Sequence, residues 1–584
     1  KPIRSTVTPE NYVRAIISLS RRYSSTSSFP GNNYVDIAEW LLQDRHLLSS
    51  KKPEEEANLF ASKSEQPHDL VVVYDCEERK WDVGQYHQDQ HEKFSAEISV
   101  PSENLGQVVF IRGFISPSWV SALGSKYNID PEFFRRHMNF LSSNDVRHSY
   151  SFPPLASSSN NIFRLCVSTL LHRDDFGGQN LQSQRSEQLT GLAKYKIHQL
   201  GSNKVCCGDS LVREYTTVCP SFSVIEQWIS IYVAKINGSW AVIVWMDHGR
   251  SLEQSPPGPW TSHIEAKATP LPIIQHHPKM AFRTTTNRLK SDTNTTAEFQ
   301  QSTTLLPLQY DSLIALVDLA RRAPQDSLSI CIPLFAHAAF SEVQFLNLME
   351  SRIQFQIDLI VAEHPADALG TLQYFTNILN RHSKQLKDSA RALCKLAEQD
   401  GQGSNGTKSE SPSRRLAVPS SHNIRLPSET DRTGNFTSPR SDSTFTQKGI
   451  MEDYDQLYIR CVELSKMCTQ GISLAMNKAT IEESRKAIEQ SKRVKRLTLL
   501  ATLFIPLNFS SSLLGMNIDL LGQNAVKSWW FFVLCIPITL LAYSFYLWDF
   551  RFLKRCWVKF WKRCRGMRGD IKVGRYEKDP DHIV

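Results

Sequence analysis

The sequence predicts an α+β protein with a mixed α/β N-terminal domain, long stalk helices and a C-terminal hairpin of two transmembrane helices. Three observations predict this class. Short β-rich runs alternate with polar breaks over the first 250 residues, a helical apolar period starts near Leu306, and two uncharged segments lie close to the C-terminus. A chain of 584 residues is too long for a single core, and allows about three or four domains.

The N-terminal part is predicted to combine strands with helices. The predicted strands cover residues 70–74, 107–112, 161–168, 223–236 and 239–245, and the predicted helices cover 33–42, 118–127 and 130–140. Asn237-Gly238 separates the last two strands, and this pair favours the positive φ angles of a two-residue hairpin turn. Asp130-Pro131 is typical of a helix start, because Asp caps the first turn and proline needs no hydrogen-bond partner there.

The following part is predicted to be mainly helical. Predicted helices cover residues 308–322, 336–362 and 365–397, and one very long helix covers 451–514. Small and apolar side chains recur along the long helix at the spacing of a coiled-coil stalk: Leu457, Cys461, Leu464, Cys468, Ile472, Ala475 and Ala479. Residues 399–449 are rich in Ser, Thr, Gly and Pro, so they predict a disordered insert with too little apolar surface to fold.

Two segments near the C-terminus are long and apolar enough to cross a bilayer. Residues 497–514 contain 18 uncharged positions and residues 529–548 contain 20, and a membrane-spanning helix needs about that many. Basic residues precede the first segment and follow the second. The positive-inside rule therefore places both ends of the hairpin on the cytoplasmic or matrix side, and the loop between the segments on the outer side.

Positive charge is concentrated behind the second segment. Residues 551–575 hold ten Lys or Arg against one acid, Asp570, whereas the formal net charge of the whole chain is +8. The rest of the chain is close to neutral, which argues against a nucleic-acid-binding protein. The tail is predicted to lie on an anionic membrane surface through Arg551, Lys554, Arg555, Lys559, Lys562 and Arg563.

One face of the first segment changes from apolar to polar. At about 100° per residue, a single stripe holds Val494, Leu497, Ala501, Ile505, Asn508 and Ser512. Polar groups at bilayer depth normally face protein or water. From the residues alone, the stripe is either a packing face of small side chains or the lining of a pore.

Cysteine content and motifs exclude several classes. The twelve cysteines form no C-x-x-C pair, so a disulfide framework or a zinc ribbon is not predicted. No nucleophile–base set, P-loop or paired-carboxylate motif indicates an enzyme or a small-molecule substrate other than a metal ion. The sequence begins at Lys1 with a Ser-rich basic stretch, which leaves open a missing start or a transit peptide, although an ordinary amphipathic helix fits better.

Gly515-Met516-Asn517 closes the first segment, after a basic-ended helix and the run Pro506-Leu507-Asn508-Phe509. This combination resembles the CorA family of magnesium channels. Three upstream runs, Arg112-Gly113-Phe114, Ser118-Trp119 and the stretch 130–137, more loosely resemble the cytosolic domain of fungal CorA-like proteins.

The resemblance implies a homopentamer with its first spans around a central pore and passive flux of magnesium. Gly515, Met516 and Asn517 would form the selectivity filter, where a ring of Asn517 amides meets the hydrated ion. The stripe would line the pore, with Val494, Leu497 and Ile505 as constrictions. Magnesium would be the transported ion and, as in the family, a regulator, but no regulatory residues can be assigned in this sequence.

Two departures from the family keep other functions open. Leu514 stands where the family usually has an aromatic residue, and Asp519 is the one acid in the outer loop. The alternatives are a membrane-anchored interaction or scaffold protein that has lost transport, and a channel for another divalent metal such as zinc or cobalt.

These expectations divide the chain into successive segments. They are an N-terminal segment (1–29), a cytosolic α/β domain (30–250), an irregular connector (251–305), the helical part of the cytosolic domain (306–398), the insert (399–449), the stalk helix (450–496), the pore-lining span (497–516), the outer loop (517–528), the second span (529–548) and a basic cytosolic tail (549–584). The plasma membrane is favoured over the inner mitochondrial membrane.

Overall fold

The computed structural model describes most of the N-terminal two thirds of the chain and two C-terminal helices. The described residues are 7–49, 69–76, 81–101, 106–142, 160–173, 181–200, 205–236, 239–261, 268–276, 302–316, 327–362, 365–401, 447–515 and 529–547. Both strands and helices are extensive, so the predicted α+β class is confirmed. The chain divides into two compact units, Lys1–Ala475 and Met476–Val584.

One mixed sheet forms the centre of the first unit. Its strands are β1 (Asp69–Cys76), β2 (Trp81–His87), β3 (Gly106–Arg112), β4 (Ile162–His172), β5 (Glu214–Cys219), β6 (Phe222–Ile236), β7 (Ser239–Met246) and β8 (Thr269–Pro270). The strand order is β2-β1-β3-β7-β6-β4-β8, and β5 also pairs with β6. Among the described strands, β3 and β7 pair in parallel and the other pairs are antiparallel. Ile236 lies opposite Ser239, so β6 and β7 form the predicted hairpin with a two-residue connection.

The helices pack on both faces of this sheet or continue beyond it. They are α1 (Pro9–Ser20), α2 (Val35–Ser49), α3 (His91–Glu97), α4 (Pro117–Tyr127), α5 (Pro131–His137), α6 (Leu181–Tyr195), α7 (Ser302–Leu305), α8 (Tyr310–Leu316), α9 (Ser327–Ala362), α10 (Pro365–Gly401), α11 (Gln447–Gly515) and α12 (Trp529–Leu547). Short 3-10 turns cover Asn32–Tyr34, Asn139–Ser142 and Leu306–Leu308, and a π-helical turn covers Lys196–Leu200. The Asp130 side chain accepts a hydrogen bond from the Glu132 N–H (2.9 Å), which confirms the predicted cap of α5.

Two hydrophobic cores lie on the two faces of the sheet. Successive side chains of a strand point to opposite faces, so Val72 and Tyr74 enter one core and Val71 and Val73 enter the other. The first core joins the sheet to α8–α11, and the second joins it to α1, α2, α4 and α5. Since β1, β3 and β7 are covered on both sides, their sequences read as continuous apolar runs.

Three loops meet at the C-terminal ends of β3 and β7, where there is no room for a side chain at Gly249. A Cβ atom on Gly249 would lie 2.1 Å from the Gly208 carbonyl oxygen and 2.9 Å from Gly113 Cα. The Arg250 N–H donates to the same Gly208 oxygen (2.8 Å), so that carbonyl is held in place. The close approach of these backbones therefore requires glycine at position 249.

Gly249→Ala is expected to lower the free energy of unfolding by about 1–3 kcal/mol, because the methyl group forces these loops apart. Chemical denaturation of the solubilised protein measures the change. Gly370→Ala is the matched control: Gly370 is exposed in α10, and its nearest neighbour is the Gln182 amide nitrogen at 3.3 Å. Equal losses for both variants would contradict the assigned crowding at Gly249.

A buried ionic network links α5 to the sheet. Arg213 donates twice to Asp247, at 2.7 Å to each carboxylate oxygen, and His137 Nε2 lies 3.1 Å from the same carboxylate. His137 stacks on Trp245 with ring centroids 3.9 Å apart. Burial lowers the pKa of His137 to about 4 even though Asp247 opposes this shift. The imidazole is therefore neutral at pH 7, and Arg213 balances the buried carboxylate.

A second buried network joins β6 to α9 and α10. His382 lies between two carboxylates: Nδ1 is 2.9 Å from Glu342 and Nε2 is 3.2 Å from Glu226. Arg381 also donates to Glu226, and the His382 ring stacks on Phe345 at 4.1 Å. Burial alone would lower the pKa of His382, but Glu342 and Glu226 outweigh it and raise the pKa to about 9. The protonated imidazole therefore ties the sheet to both helices.

The described residues on either side of 277–301 are held together. The Ile273 N–H donates to Ser302 Oγ (2.9 Å). The buried His337 of α9 contacts Gln275 through Nδ1 (2.6 Å) and Thr303 through Nε2 (3.1 Å). Residues 273–275 and 302–303 are therefore held side by side, close to His337.

The structure changes several predicted element bounds. The helix predicted at 308–322 is Tyr310–Leu316 within the described residues, and the helix predicted at 336–362 starts nine residues earlier, at Ser327. The first and last three residues of the predicted insert, 399–401 and 447–449, are helical, and the rest of it lies outside the described residues. Strands β2 and β5 and helices α3 and α6 were not predicted.

Candidate functional site

Helix α11 is continuous from the first unit to Gly515, the first residue of the Gly-Met-Asn motif. It covers 69 residues from Gln447 to Gly515, about 100 Å at 1.5 Å per residue. The prediction of one very long helix is thus confirmed. At Gly471, α11 packs tightly against α9 and α10, because a Cβ atom there would be 2.8 Å from Leu372 and 3.2 Å from Ile357.

The N-terminal part of α11 packs on helices of its own chain. Its buried positions follow the predicted apolar repeat: Leu457, Cys461, Leu464, Cys468 and Ala475. The Tyr454 hydroxyl donates to the Phe335 carbonyl of α9 (3.0 Å). Cys461 Sγ approaches the Leu379 carbonyl of α10 (3.2 Å). This part of the repeat is therefore an intramolecular packing face up to Ala475.

The six residues of the predicted stripe lie on an exposed face of α11 in the second unit. Val494, Leu497 and Ile505 are 61%, 68% and 67% exposed, and Ala501, Asn508 and Ser512 are exposed as well. An apolar side chain gains free energy when it leaves water. A face of this composition is therefore one that another molecule or a bilayer would cover.

Two residues on the opposite side of the same segment are covered. Pro506 and Ser510, one turn apart, are buried, and Ser510 is fully inaccessible. At about 100° per residue they lie more than 120° from the middle of the stripe. Among the described side chains of α12, Cys535 is buried. The sequence analysis did not predict that these two residues are buried. Small residues four positions apart in a membrane helix are a usual sign of close helix packing.

Two threonine side chains in the first segment are hydrogen-bonded within the helix itself. Thr498 Oγ1 donates to the Val494 carbonyl (2.9 Å), and Thr502 Oγ1 donates to the carbonyls of Thr498 and Leu499. Such internal bonds are what an apolar solvent requires of a hydroxyl group. Pro506 cannot donate a backbone hydrogen bond, so it is the weak point of the segment.

Helix α12 begins at the first residue of the second predicted span and carries a dense set of exposed apolar side chains. They are Trp529, Phe532, Val533, Ile536, Leu540, Leu541 and Tyr543. Soluble proteins rarely expose so large a contiguous apolar surface. Both predicted spans are therefore helices with mostly exposed apolar side chains.

Among the described residues, a different helix is long and apolar enough to cross a membrane by length and mean hydropathy. Residues 329–362 of α9 pass this test, but 83% of their most apolar window is buried inside the structure. Burial of that kind is expected of the core helix of a folded domain.

Several predicted site residues cannot be placed. Met516, Asn517 and the six basic residues of the tail lie outside the described residues, whereas Gly515 is the last residue of α11. Within the described part of the chain, no group of three or more His, Cys, Asp or Glu side chains is arranged to hold a metal ion. The polar side chains of the exposed stripe are Asn508 and Ser512, which are neutral oxygen ligands.

Comparison with known proteins addresses the same C-terminal region. Residues 428–551 match the family model described as "CorA-like Mg2+ transporter protein". The C-terminal region is CorA-like. The matched range contains Gly515-Met516-Asn517 and both predicted spans, so the resemblance drawn from these residues is confirmed.

Two curated relatives from Saccharomyces cerevisiae share this region. The magnesium transporters ALR2 and ALR1 are 22% and 21% identical over 111 residues, which is 19% of this chain. The match spans 13% of the length of each relative. Their magnesium transport is therefore a basis for a proposal only.

Two solved structures align along most of the chain. The CorA magnesium transporter of Methanocaldococcus jannaschii is 11% identical, covering 82% of this chain and 98% of that one with a TM-score of 0.29. The full-length CmaX protein is 10% identical, covering 84% and 100% with a TM-score of 0.31. At these scores the α+β class rests on the strands and helices described above.

Proposed function

We propose that this CorA-like protein is a channel for magnesium, through which the ion flows passively along a pore at the axis of a homopentamer. The observation that carries the proposal is the pair of opposite faces on α11. On one side, Pro506 and Ser510 are covered within one chain, while all six residues of the stripe on the opposite side are exposed. Several copies that turn this stripe toward a common axis would cover it and enclose a path.

The stripe has the chemistry of a gated path for a hydrated cation. Val494, Leu497 and Ile505 would form rings that exclude water when narrow, and Asn508 and Ser512 would offer neutral oxygens nearer the outer end. Gly515, Met516 and Asn517 follow directly. We propose that the Asn517 amides bind magnesium through its water shell, because magnesium gives up water reluctantly.

The membrane arrangement belongs to the same proposal. Residues 497–516 and 529–548 would span the bilayer, with both ends of the hairpin in the cytoplasm and the loop 517–528 outside. The basic tail, from Arg551 to Arg563 and beyond, would lie on the anionic inner leaflet. We favour the plasma membrane, and we propose magnesium as a regulator as well as the transported ion.

A scaffold that has lost transport is the alternative from a different class. Leu514 in place of an aromatic residue and a loop with one acid, Asp519, favour it, because both weaken attraction of cations to the mouth. A channel for zinc or cobalt is a further alternative, since neutral amide ligands do not by themselves exclude those ions.

Flux into liposomes separates these functions. Purified full-length protein is expected to admit magnesium into vesicles that contain a magnesium-sensitive dye, driven by an inside-negative potential. Hexammine cobalt, which has the size of hydrated magnesium, is expected to block this flux. If the protein admits no ion at any potential, the scaffold function is supported. If it admits zinc or cobalt but not magnesium, the channel for another divalent metal is supported.

A further inference from the structure

Four basic residues precede the first span without an acidic partner. Lys492, Arg493, Lys495 and Arg496 are exposed on α11, and no described acidic side chain pairs with them. The acid that precedes them on the helix, Glu489, lies 3.9 Å from Arg485. Four like charges within five residues repel one another, so an external anion bound here would stabilise this part of the helix.

Three of these charges point away from the proposed pore. At 100° per residue, Lys492, Lys495 and Arg496 lie more than about 110° from the middle of the stripe that contains Val494. These three side chains therefore do not line the proposed cation path. They form a basic patch on the side of α11 that also carries Pro506 and Ser510 further along.

Exposed apolar side chains follow the basic patch on the same side of the helix, toward the span. Leu499 is 49% exposed and Leu503 is 54% exposed, and both lie within about 20° of Lys492 around the helix. The distance from Lys492 to Leu503 is about 16 Å along the axis. A basic patch followed directly by an apolar strip complements a ligand with an anionic head and a hydrocarbon tail.

We infer that the face formed by Lys492, Lys495, Arg496, Leu499 and Leu503 binds an anionic phospholipid. The headgroup phosphate accepts hydrogen bonds from the basic side chains, and an acyl chain covers the two leucines. The inference rests on the proposed insertion of residues 497–514 in a bilayer, and it does not depend on which ion is conducted. It assigns a specific lipid contact to α11 in addition to the general attraction of the basic tail.

Direct binding tests the inference with the full-length protein in a neutral detergent. Fluorescence anisotropy of an acyl-labelled phosphatidylglycerol measures binding, with acyl-labelled phosphatidylcholine as the neutral lipid and inorganic phosphate as competitor. We expect phosphatidylglycerol to bind, phosphatidylcholine to bind at least tenfold more weakly, and phosphate not to compete.

Two double variants locate the binding. Lys492→Gln with Arg496→Gln is expected to weaken phosphatidylglycerol binding by about 30-fold. Arg485→Gln with Lys486→Gln removes the same net charge two turns earlier, where no such apolar strip follows, and is expected to change binding less than threefold. The charge-conserving pair Lys492→Arg with Arg496→Lys is expected to retain binding, which separates lost recognition from misfolding.

Each opposite outcome overturns the inference. Equal binding of the two lipids shows that the head charge is not recognised, and full competition by phosphate shows a free-anion site. If both Gln double variants lose phosphatidylglycerol binding equally, the lipid is attracted by net charge and not by a specific site. If neither variant loses binding, the lipid binds elsewhere on the protein. Failure of ion flux in liposomes overturns the proposed channel instead, because lipid binding is measured without flux.

Discussion

Replacement of Asn517 by alanine is expected to abolish magnesium uptake by this protein. The alanine side chain removes one amide oxygen from every subunit, so the proposed ring at the outer mouth loses all of its side-chain ligands at once. Uptake is measured in a transport-deficient host grown in low magnesium, where the variant is expected to give no more uptake than an empty vector. The loss should be in transport and not in the amount of protein in the membrane fraction.

The matched control is Asn477→Ala. Asn477 is an exposed amide on α11, upstream of the stripe. It is expected to leave uptake within twofold of the unmodified protein. Membrane fractions should contain equal amounts of both variants. Normal uptake by the Asn517 variant would remove this residue from the filter, even if the protein proves to be a channel.

Replacement of His382 by glutamine is expected to be among the most destabilising single changes in the first unit. It leaves the Glu342 and Glu226 carboxylates buried without the imidazolium between them. Removing one partner of a buried ion pair costs about 3–5 kcal/mol. Denaturant unfolding of the solubilised chain at pH 6 measures this loss, and Arg391→Gln is the control, since Arg391 pairs with Asp388 on the exposed side of the same helix.

The loss should depend on pH in a defined direction. The pKa of His382 is raised to about 9 in the folded protein, against about 6.5 in the unfolded chain. Its contribution to stability is therefore complete below pH 6.5 and disappears as the pH rises through 9. The difference between wild type and His382→Gln should shrink between pH 6.5 and 9. A difference that stays constant over this range would contradict a protonated His382.

The sequence predicts what is periodic or local. The length of α11 follows from a steady apolar repeat and from the lack of proline before Pro506. The strands that are buried on both faces, such as β3 and β7, are continuous apolar runs, so they stand out. The two C-terminal spans are defined by the absence of charge alone.

What escaped prediction depends on tertiary contacts. Strand β2 lies at the edge of the sheet, and its Val83 is exposed, so it carries no clear apolar pattern. Helix α6 is polar, and it is held by buried Arg185, which donates to the Thr217 and Val218 carbonyls. The partners of His382 lie 40 and 156 residues away along the chain. No local pattern contains such pairs.

The candidate site divides in the same way. The stripe on α11 could be derived from helical geometry, and its role in a pore stays a prediction. The burial of Pro506 and Ser510 could not be derived, because it depends on which side of the helix the rest of its unit occupies.

The hydrogen bonds around His337 make the stretch between positions 276 and 302 a suitable place to insert a foreign sequence. Because Ile273 binds Ser302, and Gln275 and Thr303 bind the same imidazole, the stem at 273–276 and 302–303 is closed by its own hydrogen bonds. The entropy of closing a loop grows only slowly with its length. A fluorescent reporter or an affinity tag spliced between positions 276 and 302 is therefore expected to change the free energy of unfolding little.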